Sequence, residues 1–278
     1  MKKNANKFIT IFLVLILLAG LSLLLYPTVS DYWNSFHQTR AIASYAEEVA
    51  QMDDNTYERI LADAHAYNKA LIANSARYHP TDEERAEYRN LLNIAGTGMM
   101  GYIEIPAIEC SLPLYHGTDE AVLQIAIGHI EGTSLPVGGE STHCVVSGHR
   151  GLPSAKLFTN LDRLAVSDIF TIRILDEVLT YEVDQILIVD PPDIKDLKIE
   201  PGKDYFTLVT CTPYGINTHR LLVRGHRIDN LADYSSVHVT ADLIQIDPLL
   251  VAPAVAVPIL LFFLIALVVP RKSSKKRR

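Results

Sequence analysis

Residues 207–226 read TLVTCTPYGINTHRLLVRGH, and this stretch decides how the chain around it folds. An apolar, β-branched run ends on a lone thiol, Cys211, and is followed at once by Thr212, Pro213, Tyr214 and Gly215, residues that stop a strand and turn the backbone. A thiol buried only for packing would be followed by more strand. This one stands at a strand end, near solvent. A second apolar run opens at His219, with Arg220 nine residues beyond the cysteine. Two strands joined by a short turn pair antiparallel, which carries the arginine back beside the thiol.

Further strands are expected at 102–105, 110–115, 143–147, 169–175 and 179–189, besides 205–211 and 219–225, each β-branched or apolar and bounded by Gly, Pro or Asp. A short helix is expected over 119–127. Many short, closely spaced strands predict a mainly β fold, a closed antiparallel barrel over 101–230, more than a doubly wound sheet. Upstream the period lengthens: Tyr57, Ile60, Leu61, Ala64, Tyr67 and Leu71 recur at three- and four-residue steps. This predicts an amphipathic helix capped by Asn55 or Thr56, within a helical extension at 27–100. Tyr78, His79, Pro80, Thr81 and Asp82 interrupt it before a second helix at 83–92. No internal repeat or low-complexity tract is present.

Two uncharged apolar runs flank this body, at 8–26 and 248–270. At about 1.5 Å per helical residue each is long enough to cross a hydrocarbon core of about 30 Å. Lys2, Lys3 and Lys7 (tail 1–7) precede the first, and Arg271, Lys272, Lys275, Lys276, Arg277 and Arg278 (tail 271–278) follow the second, which predicts both tails on the cytoplasmic side and the body outside. The first run exceeds the usual apolar core of a cleaved leader, about 7 to 15 residues, and reads as an anchor, with a cleaved signal as the alternative. Residues 231–247 read as a juxtamembrane linker. Without the tails the 278-residue chain keeps 16 basic against 32 acidic side chains, a formal net charge of −16. So acidic a body makes nucleic acid a poor partner, while the basic C-terminal cluster suits anionic membrane lipids.

Three cysteines, Cys110, Cys144 and Cys211, make no disulfide scaffold. The first two read as small buried side chains, with a bridge between them as the alternative; either way Cys211 remains a free thiol. A thiol of ordinary pKa is mostly protonated at neutral pH, so a nucleophilic cysteine needs a nearby cation or base. Of ten histidines, His149 is the best placed, since Ser147-Gly148-His149-Arg150-Gly151 sets it between glycines just past a strand. His219 competes but adjoins Arg220, whose charge disfavours its protonation. Arg220 can offer a two-pronged fork to a developing oxyanion; Arg224, on the same face, is the rival. His143 and His149 match no zinc spacing.

Residues 207–226, together with GYIEIPAIECSLPLYHGTDEAVLQIAIGHIEGTSLPVGGESTHCVVSGHRGLPSAKLF upstream, resemble sortases, specifically the class C, pilus-assembling sortases. The resemblance implies the sortase β-barrel with a helical N-terminal extension and two flanking transmembrane helices. It implies Cys211 as nucleophile, His149 as general acid and base, and Arg220 as the oxyanion-stabilising arginine. The implied activity is transpeptidation: cleavage of a Leu-Pro-x-Thr-Gly sorting signal of a pilin or surface protein between Thr and Gly, then transfer of the thioester to a lysine amine of a pilin subunit. No metal or organic cofactor is implied. The implied place is the cell membrane of a Gram-positive bacterium, with the catalytic domain extracellular. Attachment of surface proteins to peptidoglycan, and a non-catalytic membrane-tethered peptide-binding module, are the other readings.

Class C sortases commonly carry a lid with an Asp-Pro-aromatic triplet, which is missing here. The loop at 73–85, with Tyr78, His79, Pro80 and Asp82, is the expected cover of the cleft. Asp31, Tyr32 and Trp33 offer a substitute, although their position beside the first apolar run favours anchoring at the membrane interface.

Overall fold

The computed structural model describes residues 2–94 and 96–230. The expected linker at 231–247, second membrane span at 248–270 and basic tail at 271–278 lie outside the described residues. The described residues belong to two units, divided between Ser30 and Asp31. The first, over 2–30, is helix. Helix α1 runs Lys2–Ala50 with Pro27 inside it. Among the described residues it is the one helix long and apolar enough to cross a membrane, with a mean hydropathy of 3.0 over its most apolar stretch, none of it buried.

The second unit holds the rest of α1, helices α2 (Asp54–Ala73) and α3 (Asp82–Asn90), and the barrel. The cap of α2 is Asp53, whose carboxylate accepts from the Thr56 backbone N–H at 3.0 Å, so the helix starts ahead of the expected Asn55 or Thr56. A carboxylate is a strong acceptor for a first-turn N–H, and Asp54 adds negative charge at the positive helix end. Helix α3 opens on a capping box: Thr81 Oγ1 accepts from Glu84 N at 3.2 Å and Glu84 Oε2 accepts from Thr81 N at 2.8 Å. Two latches hold these helices to the barrel. Buried Tyr45 of α1 donates to the Met100 carbonyl and accepts from Leu175 N, both at 2.7 Å. Buried Asn68 of α2 takes the Leu135 N–H at 2.7 Å and donates to its carbonyl at 3.1 Å.

Eight strands close the barrel: β1 (Met99–Ile105), β2 (Cys110–His116), β3 (Ile127–His129), β4 (Thr142–Ser147), β5 (Ile169–Ile174), β6 (Glu177–Val189), β7 (Asp204–Thr212) and β8 (His219–Ile228), in the spatial order β1-β2-β3-β4-β7-β8-β6-β5. Two departures from expectation matter. Helix α4 covers only Glu120–Leu123, and Ile127, expected to end it, opens strand β3 instead. Gly128 permits this, since a Cβ there would stand 2.0 Å from the Gly117 carbonyl oxygen. The barrel is also mixed, because β2 with β3 and β4 with β7 run parallel. The α4 segment and the β5–β6 hairpin supply the crossovers that parallel neighbours require.

Inside, Phe170, Tyr181 and Phe206 form an aromatic cluster with centroids 5.4 to 5.9 Å apart. Each is almost wholly buried, which stabilises the fold by roughly 1.5–3 kcal/mol per side chain. Outside, Val145 of β4, Val209 of β7 and Leu222 of β8 form a smaller apolar cluster, capped by Leu197 from a 3-10 turn, Lys195–Leu197, in the β6–β7 connection. Because side chains alternate along a strand, residues of the same parity as Val209 and Leu222 share this outer face.

Candidate active site

Cys211 has the parity of Val209, and Arg220 that of Leu222. The two are direct cross-strand partners in the β7–β8 register, so their side chains leave neighbouring positions on the outer face of the barrel end. Cys211 is partly exposed, as the turn residues after it require. Arg220 Nη1 donates to the carbonyls of Asn217 and His219 at 3.4 and 3.1 Å, and among the described residues it has no carboxylate within ion-pair distance. Arg224 is different. Its fork is spent on Asp184, with Nε and Nη2 each 3.0 Å from a carboxylate oxygen, and its guanidinium lies 4.1 Å from the Tyr205 ring centroid. Of the two arginines, Arg224 is thus the one held by a carboxylate.

His149 arrives by a different route. Strand β4 runs parallel beside β7, pairing Ser147 with Val209. The contact continues past the strand: Gly148 N donates to the Val209 carbonyl at 3.0 Å, and Thr210 Oγ1 donates to the Gly148 carbonyl at 2.7 Å. His149 therefore leaves β4 level with Thr210 and Cys211. Gly148 is forced here, because a Cβ would meet the Phe158 ring at 2.7 Å. The imidazole is 29% exposed, and its Nε2 is 3.7 Å from Glu120 Oε2 of α4. Glu120 is a neighbour that the sequence did not flag, since nothing in its spacing links it to His149. The competing His219 instead faces Asp190 at 3.6 Å and takes a hydrogen-bonding contact with Thr218 Oγ1 at 2.9 Å.

Two further histidines are built into the fold. His143 contacts the Lys198 carbonyl at 2.8 Å through Nδ1 and Thr207 Oγ1 at 2.7 Å through Nε2, pinning the β6–β7 connection. His129 contacts Tyr88 Oη at 2.9 Å and the Ser134 carbonyl at 2.9 Å. Burial pushes both imidazoles down from 6.5 to about 4. Between those values the unfolded chain binds more protons than the folded one, so stability rises with pH. The barrel is expected at full stability above about pH 6.5 and to lose up to roughly 3 kcal/mol per histidine as pH falls to 4. Thermal melts of His143→Gln should show a shallower dependence over that window, and a slope equal to that of the parent chain would rule the residue out.

The remaining cysteines are unpaired, so the alternative of a Cys110 to Cys144 bridge is not realised. The Tyr78 to Asp82 loop contacts the β6–β7 connection. Tyr78 Oη donates to the Leu197 carbonyl at 3.4 Å, and the Arg77 carbonyl lies 2.3 Å from where a Cβ on Gly132 would stand. Asp82 is 3.7 Å from Arg85 of its own helix. The loop therefore spans the walls of the outer apolar cluster. Asp31 reaches the loop that follows His149: its carboxylate accepts from Lys156 N at 2.8 Å and pairs with Lys156 Nζ at 3.5 Å, while Asn34 Nδ2 donates to the Ser154 carbonyl at 2.8 Å. Tyr32 and Trp33, between these contacts, are 48% and 63% exposed.

A family model described as "Sortase domain" matches residues 103–228. Among solved structures, sortase C1 of Streptococcus agalactiae is 57% identical with a TM-score of 0.68, covering 69% of this chain and 100% of that one. Sortase C of Streptococcus pneumoniae, which takes pilin substrates, is 47% identical with a TM-score of 0.63, covering 69% and 97%. Among curated relatives, sortase D of Bacillus subtilis is 30% identical over 131 residues, 46% of this chain; the match spans 63% of that protein, less than two thirds of its length.

Proposed function

Since the chain belongs to the sortase family, we propose that it is a membrane-anchored cysteine transpeptidase that joins pilin subunits. The observation that carries this reading is the pairing of Cys211 with Arg220 on the outer face, level with His149 on the neighbouring parallel strand. The Cys211 thiolate attacks the Thr carbonyl of a Leu-Pro-x-Thr-Gly signal, and the Arg220 fork stabilises the oxyanion that forms. His149 protonates the departing glycine amine, leaving the acyl group on sulfur as a thioester. It then takes a proton from the incoming lysine amine, which attacks the thioester, releases the thiolate and leaves an amide. The apolar cluster of Val145, Val209, Leu222 and Leu197 supports binding of the Leu-Pro portion beside Cys211. The apolar span in α1 supports a membrane anchor, and the relatives' Gram-positive hosts support that location.

Mass spectrometry of the full chain in detergent with a sorting-signal peptide should show a thioester on Cys211. Its loss on adding a lysine-bearing pilin fragment supports pilus assembly, whereas loss only to a peptidoglycan amine assigns cell-wall attachment. An undetectable adduct would leave the peptide-binding module.

For the 73–85 loop, the contacts support a brace on the β6–β7 connection in place of a cover over the thiol. Tyr78→Ala is expected to leave the alkylation rate of Cys211 within about twofold and to raise KM for the signal peptide about fivefold, the equivalent of one hydrogen bond. Alkylation accelerated beyond that restores the cover.

A further inference from the structure

We infer that Arg150 is a positioning residue, locking the loop that bears His149 to the strand end and turn that follow Cys211. The inference rests on the roles proposed above for those two side chains. Arg150 follows His149 directly, yet its side chain is only 8% exposed. Nη2 pairs with Asp162 in a 3-10 turn, Leu161–Arg163, whose Leu161 is fully buried in the core. Nη1 donates to Thr212 Oγ1 at 3.4 Å, on the residue after Cys211, and the guanidinium carbon lies 5.8 Å from the Tyr214 ring centroid in the same turn. Gly151 seals the contact: its φ is +75°, and a Cβ there would stand 2.9 Å from the Tyr214 ring. A line of contacts thus runs from the core through Asp162 and Arg150 to the neighbour of the thiol, while the backbone of Arg150 sets where His149 begins.

Arginine suits this place because one planar fork serves two acceptors in different directions; a lysine ammonium is a single point charge without that fork. Arg150 Nε is shielded from solvent and has no hydrogen-bond partner among the described residues. A buried orphan donor is a stability cost. Such costs are retained where geometry for chemistry decides the residue.

The test uses the full chain in detergent, comparing Arg150→Lys, His149→Ala and the double variant. One measurement is the pH dependence of iodoacetamide labelling at Cys211, located by peptide mass spectrometry, which does not require turnover. The other is kcat and KM for thioester formation with a sorting-signal peptide, at temperatures where melts show every variant folded. Arg150→Lys is expected to lower kcat about 100-fold with KM within about threefold, and to move the labelling profile toward that of His149→Ala. In the His149→Ala background it should add less than about threefold. A kcat unchanged in the folded variant, a labelling profile like that of the parent chain, or full additivity in the double variant would overturn the inference. If the parent chain itself forms no thioester, the proposed activity fails, and the labelling profiles alone decide whether Arg150 couples the two loops.

Discussion

Cys211→Ala is expected to abolish thioester formation and transfer, a loss of about 10⁴-fold or more, while leaving the affinity for a sorting-signal peptide within about twofold. No other thiol can stand in. Burial pushes the Cys110 thiol up to about 12 and holds Cys144 well above the usual range, so neither supplies a thiolate at neutral pH. Cys211→Ser separates nucleophilicity from space: it keeps the shape but presents a hydroxyl, which ionises far less readily than a thiol at neutral pH. It should be nearly as inactive as the alanine variant. Calorimetric titration with the peptide, alongside mass spectrometry for the adduct, checks both halves. Retained turnover in Cys211→Ala would remove covalent catalysis from consideration, and lost binding would mean that the thiol contributes to the groove itself.

Arg220→Lys carries the second large effect, a fall in kcat of about 10² to 10³ with KM changed less than about threefold. The charge survives but the fork does not, and an oxyanion beside Cys211 calls for donors already aimed at it. The control is Arg224→Lys, two pairs further along the same face. Its guanidinium is already committed to Asp184 and stacked on Tyr205, so its replacement is expected to lower the melting temperature and leave kcat within about threefold. Steady-state kinetics and melts on both variants read the contrast. The opposite pattern, with activity following Arg224, would reassign the oxyanion donor.

How much of this was legible depended on sequence distance. Cys211 and Arg220 could be placed together because a hairpin converts nine residues into a cross-strand pair, and the Pro/Gly turn between them announces the hairpin. His149 stood out through its glycines, but its company did not, because the β4–β7 pairing joins segments separated by a whole hairpin. Strand β3 was invisible because three residues are too few to show alternation, and its Gly128 reads as a breaker until the approach of Gly117 is seen. The contacts of Asp31 and Tyr78 are with Lys156 and Leu197, more than one hundred residues away, which local pattern cannot supply. Cap chemistry was misjudged at α2 by two or three positions because three acceptors, Asp53, Asp54 and Asn55, adjoin one another there.

Closure of the barrel has a consequence for how a guest can be held. Every strand has a neighbour on each side over at least part of its length, so no strand offers its full edge of N–H and C=O groups to an extended peptide as a ninth strand. Recognition is then expected to draw mainly on side chains and loops. A guest gripped that way forfeits nothing by carrying proline, the one residue that could never donate to such a ladder.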